Sequence, residues 1–186
     1  MEETRFIFSI ITIIIIILII IIVFISLLNS IIYKVPLVWT FLSDFNVMKK
    51  WLKKYNLKWK YLVDLWSWTW KVLRFFEREF NMKTTGYEID LWNILIAKFF
   101  NKIFWLKAKI VKKSYFDTNL SKYDYIYIYL YPELIEKIQE KIWYDCKEWT
   151  IIFSNAFKLK KYKPIEILKD EKWNDEIYIY KIGSSK

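Results

Sequence analysis

The 186 residues, less an apolar N-terminal run, leave room for one domain of roughly 150 residues with a sizeable core, and exclude a second folded domain. Thirty Lys and Arg against twenty Asp and Glu give a formal charge of +10. That excess would favour acidic partners, but the lysines are scattered among Ile, Asn, Tyr and Phe without a block of like charge, so no specific nucleic acid is expected. The single cysteine, Cys146, excludes an internal disulfide, and with no histidine beside it neither a zinc site nor an imidazole triad is expected, nor any other metal.

Two glycines accompany eleven tryptophans. A chain of this length ordinarily carries about 13 glycines, at roughly 7%. The deficit directs attention to tryptophans standing where backbone geometry reserves a place for glycine.

Taken in chain order, residues 1–30 form the first segment. Phe6 to Leu28 is 23 residues without a charge, long enough at about 1.5 Å per residue to cross a hydrocarbon core of about 30 Å. The run exceeds a signal-peptide core and no small-x-small site follows it, so an uncleaved, single-pass transmembrane anchor is expected over 6–28. Glu2, Glu3 and Arg5 precede it, whereas Lys34, Lys49, Lys50, Lys53 and Lys54 follow. The positive-inside rule then predicts a membrane protein whose C-terminal domain is cytoplasmic.

Residues 31–57 read as a juxtamembrane and N-terminal helical segment containing Pro36, and 58–186 as the main domain. There, short β-prone runs alternate with helical ones. Strands are predicted at Tyr61–Leu65, Thr84–Ile89, Lys109–Lys113, Tyr123–Tyr131 and Thr150–Phe153, and helices at Lys71–Phe80, Asn93–Phe104 and Glu133–Tyr144. Ile165–Leu168 and Glu176–Ile182 are predicted to close the sheet as an antiparallel pair. The alternation implies an α/β fold: a Rossmann-like, mostly parallel sheet of about seven strands, covered on both faces, with an antiparallel closing strand.

Val63 to Asp90 carries the chemistry. In an open parallel sheet ligands bind beyond the carboxyl ends of the strands, and the first strand-to-helix turn must let backbone approach the ligand. Here that turn reads Asp64-Leu65-Trp66-Ser67-Trp68-Thr69-Trp70. Three indoles here would fill the ligand cleft and resist the turn geometry, and glycine in place of each gives DLGSGTG.

That restored run resembles the first motif of class I S-adenosylmethionine-dependent methyltransferases. The wider pattern is similar to a membrane-anchored branch related to mitochondrial protein-lysine methyltransferases and, more distantly, to a branch of histone lysine methyltransferases. The resemblance spans about Pro36 to Ile182. VPLVWT, through Pro36 and Thr40, matches an approach segment; GYEID matches the acidic end of the second strand; DYIYIYLYPE, Asp124 to Glu133, matches the fourth; KEWTIIFSNAF, KPIEIL and IYIYKI match the closing strands. The family carries glycine where Trp149 stands, and Asp or Asn where Ser114 stands.

The resemblance implies S-adenosylmethionine as cofactor, bound through Asp64, Trp66, Ser67, Trp68, Trp70, Glu88, Ser114 and Tyr115. Asp64 would reach the methionine amino group, Glu88 the ribose hydroxyls, and Ser114 and Tyr115 the adenine. Tyr129, Leu130, Tyr131 and Pro132 would line the methyl-transfer pocket. The implied activity is protein (lysine) N-methylation at a membrane. Each residue also has a plainer reading: Asp64 as a helix cap, Glu88 as a solvated strand end, Ser114 and Tyr115 as loop, and the alternate tyrosines of 123–131 as one packed strand face.

The tryptophans admit two readings. Some bacteria decode UGA as glycine, and reading it as tryptophan would write Trp at each such glycine; Trp66, Trp68, Trp70, Trp105 and Trp149 fit, and Trp59 and Trp173 stand in turn-like contexts. If instead the tryptophans are genuine, a non-catalytic membrane-anchored scaffold with a degenerate cleft is expected. A nicotinamide-dependent oxidoreductase is disfavoured by spacing, since G-x-G-x-G after an Asp is not G-x-G-x-x-G.

Overall fold

The computed structural model describes residues 2–32, 42–67, 70–169 and 176–183. The chain divides into two units, Met1–Val38 and Trp39–Lys186.

The first unit is one helix, α1 (Glu2–Ile32). Isoleucine is stiff at χ1 and a middling helix former in water, so a helix this rich in it draws its order from an apolar run whose backbone groups bond one another. Two of its hydroxyls are likewise satisfied internally: Ser9 donates to the Arg5 carbonyl at 3.0 Å and Thr12 to that of Phe8 at 2.8 Å. Among the described residues no helix is long and apolar enough to cross a membrane. The expected span, Phe6 to Leu28, lies within α1.

The second unit opens with α2 (Leu42–Leu52) and continues β1 (Tyr61–Asp64), α3 (Lys71–Phe80), β2 (Lys83–Glu88), α4 (Leu91–Ile103), β3 (Lys109–Lys112), a 3-10 turn (Tyr115–Asp117), β4 (Tyr125–Ile128), α5 (Pro132–Asp145), β5 (Ile151–Asn155), β6 (Glu166–Lys169) and β7 (Glu176–Lys181). The seven strands form one sheet in the order β3-β2-β1-β4-β5-β7-β6. The first five run parallel to one another, and β7 lies antiparallel to both β5 and β6.

Alternating side chains of the central strands feed two cores. Leu62, Tyr125, Tyr127 and Phe153 pack with Met48 and Leu52 of α2 and Val72, Leu73 and Phe76 of α3. Val63, Ile126, Ile128 and Ile152 point the other way, to Ile135, Ile138 and Ile142 of α5. A sheet buried on both faces needs apolar residues at every central position, which is what these runs supply. Each such side chain contributes about 1.5–3 kcal/mol on burial.

Helix α3 occupies the predicted span, and the closing pair forms as expected. Strand β4 is shorter than the β-prone run 123–131. Its ladder with β1 ends at Tyr127 and its ladder with β5 at Ile128, opposite Ser154, and Pro132 then starts α5.

Candidate functional site

The strand order reverses between β1 and β4, the switch point at which an open α/β sheet leaves a crevice beyond its carboxyl ends. Asp64 ends β1 there, level with Gly86 of β2 and Tyr127 of β4. Glu88 ends β2, Ser114 and Tyr115 follow β3, and residues 129–132 follow β4. The parallel register thus brings the expected site segments to one edge of the sheet.

Asp64 is 2% exposed, and one of its oxygens accepts the Trp66 N–H at 3.0 Å. Burial pushes its pKa up from 3.8 to about 7; the Trp66 hydrogen bond opposes this and the nearby Glu88 carboxylate reinforces it. Glu88 is also buried, and burial raises its pKa against the pull of two backbone hydrogen bonds. Its Oε1 accepts from the N–H groups of Ile89 and Asp90 at 2.8 and 2.9 Å. Its Oε2 is buried without a hydrogen-bond partner, as is Oγ of Ser67. A carboxylate held by one oxygen, with the other dry and orphaned, has the acceptor capacity to bind a hydroxyl-bearing ligand.

The loop after β1 is tied to both neighbouring strands, Leu65 N donating to the Tyr127 carbonyl and Ser67 N to that of Tyr87. Ser67 rests directly on Gly86, where any Cβ would collide with it. Trp68 lies outside the described residues. The Trp66 indole is half-buried, its ring 6.2 Å from that of Tyr115, and so stands between the β1 loop and the segment after β3. Trp70 precedes α3 and stacks on Phe100 and Phe104 of α4, with the Arg74 guanidinium over its ring. It supplies no side-chain cap to the helix. Neither Trp66 nor Trp70 has a positive φ, which corrects the expectation that both resist the turn's backbone geometry.

Ser114 caps the 3-10 turn by accepting the Phe116 N–H, and burial raises the Tyr115 hydroxyl pKa to about 12. Tyr129 packs against the α3-side core, whereas Leu130 is buried in the α5-side core. Tyr131 precedes α5 with its ring near Phe157, and Pro132 is the first residue of that helix.

Left-handed backbone occurs elsewhere, at Trp59 (φ 67°), Trp105 (φ 54°) and Trp149 (φ 72°), and also at Asn81 (φ 52°) and Ala156 (φ 62°). All three tryptophan side chains are exposed. Trp105 follows α4: its N–H bonds the Lys102 carbonyl, and the Leu106 N–H bonds that of Asn101. This is a Schellman motif, whose left-handed position usually holds glycine because a Cβ is strained there. Trp173 lies outside the described residues.

One polar cluster escaped the sequence reading. Asn155, at the carboxyl end of β5, donates to the Tyr127 hydroxyl at 3.0 Å and to Asp44 of α2 at 3.2 Å, all three being buried. No local pattern marks these residues, which lie more than a hundred positions apart at the extremes. Among the described residues no group of His, Cys, Asp and Glu is placed to hold a metal.

No family model matches the chain. It is 28% identical over 82 residues to a protein-lysine N-methyltransferase of Saccharolobus islandicus, and spans about half (51%) of that curated relative's length. Among solved structures, an RNA methyltransferase from Salinibacter ruber in complex with S-adenosylhomocysteine superposes with a TM-score of 0.70 at 20% identity, over 80% of this chain and 96% of the other. A methyltransferase from Pyrococcus furiosus superposes with a TM-score of 0.59 at 12% identity, over 83% and 93%. The second unit has the Rossmann-like class I methyltransferase fold.

Proposed function

We propose that this protein is an S-adenosylmethionine-dependent methyltransferase, acting on a protein lysine and held at a membrane by α1. The observation that carries the cofactor reading is the pair of buried carboxylates, Asp64 and Glu88, ending adjacent strands at the switch point with Glu88 Oε2 unpartnered. Glu88 holds the ribose hydroxyls, Asp64 accepts from the amino group of the methionine part, and Ser114 and Tyr115 border the adenine. The cofactor supplies an activated methyl group on sulfur.

A lysine acceptor is supported by the protein-lysine methyltransferase relative. Attack in line with the leaving sulfur needs positioning and a neutral amine. Tyr129 and Tyr131 exclude water from the acceptor pocket, and a drier pocket lowers the pKa of an ammonium, so no strong general base is demanded of a chain without histidine. The anchor is supported by 23 uncharged residues inside α1, and the lysines that follow favour a cytoplasmic domain.

The native chain carries glycine at positions 66, 68 and 70, as at 59, 105, 149 and 173. This is supported by left-handed backbone at Trp59, Trp105 and Trp149. Intact-mass measurement of the native protein decides it, and a mass matching eleven tryptophans overturns it.

The half-buried Trp66 ring favours a second reading for the chain as written, a degenerate scaffold. Calorimetry with S-adenosylhomocysteine separates the two. Binding by the Trp66→Gly, Trp68→Gly, Trp70→Gly variant but not by its parent supports the enzyme; binding by neither favours the scaffold.

A further inference from the structure

Helix α4 turns an apolar face to solvent. Ile94, Ala97 and Asn101 are buried against the sheet. Leu91, Leu95, Phe99 and Ile103 recur every four residues on the outer side and are each about half exposed, Phe99 reaching 61%. Spacing of four sets them in one stripe along the helix. None of them is a tryptophan, so the stripe does not depend on how those positions are decoded.

A surface helix ordinarily shows the opposite pattern, polar outside and apolar within, and a continuous apolar face marks an interaction surface. The charges on α4 identify what it meets. Its only ionic residues are Lys98 and Lys102, themselves four apart and exposed, one position before Phe99 and Ile103; it contains no Asp or Glu. Asp90, immediately before the helix, is occupied in capping it, accepting the Asn93 N–H at 3.0 Å. Among the described residues neither lysine forms an ion pair, although seven such pairs occur elsewhere. An apolar stripe edged by lysines fits a helix lying in the plane of a lipid surface, rings and branched side chains in the acyl boundary and ammonium groups at the phosphates.

We infer that the outer face of α4 docks the domain on an anionic bilayer. The inference rests on the reading of α1 as a membrane anchor, which keeps the domain beside that surface. Docking fixes the domain by a second point.

The test uses the full chain with Cys146→Ala, carrying an environment-sensitive nitrobenzoxadiazole label at Leu95→Cys or, as the control, at Lys137→Cys on exposed α5 across the sheet. It is reconstituted in vesicles of phosphatidylcholine with or without phosphatidylglycerol, and flotation is read first. The expected result is flotation on both, with a several-fold rise in emission at position 95 on the anionic vesicles and none at 137. The same label at Phe99→Cys keeps the test decisive if the first variant folds poorly by near-ultraviolet circular dichroism. A chain that floats while positions 95 and 99 stay as wet as 137 overturns the docking and leaves the anchor standing. A chain that does not float overturns both. An emission rise that follows protein concentration rather than lipid also overturns it, identifying a second copy as the occupant.

Discussion

Ser67 and Gly86 pack so closely that a Cβ on Gly86 would stand 2.1 Å from the serine Oγ and 2.3 Å from its Cβ. The glycine is there for space, not for φ: it lies within β2, level with Asp64. Leu73 of α3, at 2.9 Å from the same point, closes the other side. Gly86→Ala is therefore expected to lift the cofactor loop off β2 or to shift α3, with a loss of about 1–3 kcal/mol on urea unfolding. An alanine variant of unchanged stability would mean that the loop moves freely away from the strand.

Trp105 tests what its backbone needs. It is 90% exposed and left-handed at the end of α4. An L residue there is strained by about 1–2 kcal/mol, and the exposed indole offers little burial in return. Trp105→Gly should stabilise the chain by about 1 kcal/mol, while Trp105→Ala, which keeps the Cβ, should not. Equal effects of the two substitutions in thermal unfolding would contradict the assignment of strain to the Cβ.

That contrast also explains which parts of the molecule were legible in the sequence. Local signals found most elements, because α3 and the sheet strands carry their own periodicity. They overran β4 because a strand's end is decided by its neighbours, here the ladder with β1 ending at Tyr127 and that with β5 at Ile128. The tryptophans at 105 and 149 could be suspected of replacing glycine because helix ends and turns leave a local mark. At Trp66 the expectation joined lost space with resisted turn geometry; its φ is not positive, and its ring lies half-buried beside Tyr115. The Asp44–Tyr127–Asn155 cluster had no such mark, being assembled only when α2, β4 and β5 meet.

Asn155 is accordingly expected to be structural as well as close to the site. Removing its amide strips the buried Tyr127 hydroxyl and Asp44 of a donor, and an unsatisfied buried polar group costs about 1–3 kcal/mol. Asn155→Ala should lower stability in that range, and Asn155→Ala combined with Tyr127→Phe should lose less than the sum of the two single changes. Strict additivity in this double-mutant cycle would show that the hydrogen bond contributes nothing.

Asp64 gives the protein a pH dependence of defined sign. Its pKa rises from 3.8 in the ordinary carboxyl to about 7 in the fold, so between those values the folded state holds a proton that the unfolded state has released. Stability from this group is fully present below the lower value and is lost as pH rises through the upper one. Urea midpoints should therefore fall between about pH 4 and pH 7, as Asp64 is forced to ionise in a dry site. Asp64→Asn keeps an oxygen to accept the Trp66 N–H and has no proton to lose, so it should flatten that slope and be the more stable form at pH 8. Ligand binding should run the other way. A protonated Asp64 cannot attract a cationic amino group, so S-adenosylhomocysteine should bind the glycine-restored chain more tightly as pH rises through about 7, and Asp64→Asn should abolish both that rise and most of the affinity. A stability slope unchanged in the asparagine variant would place the titration on another group.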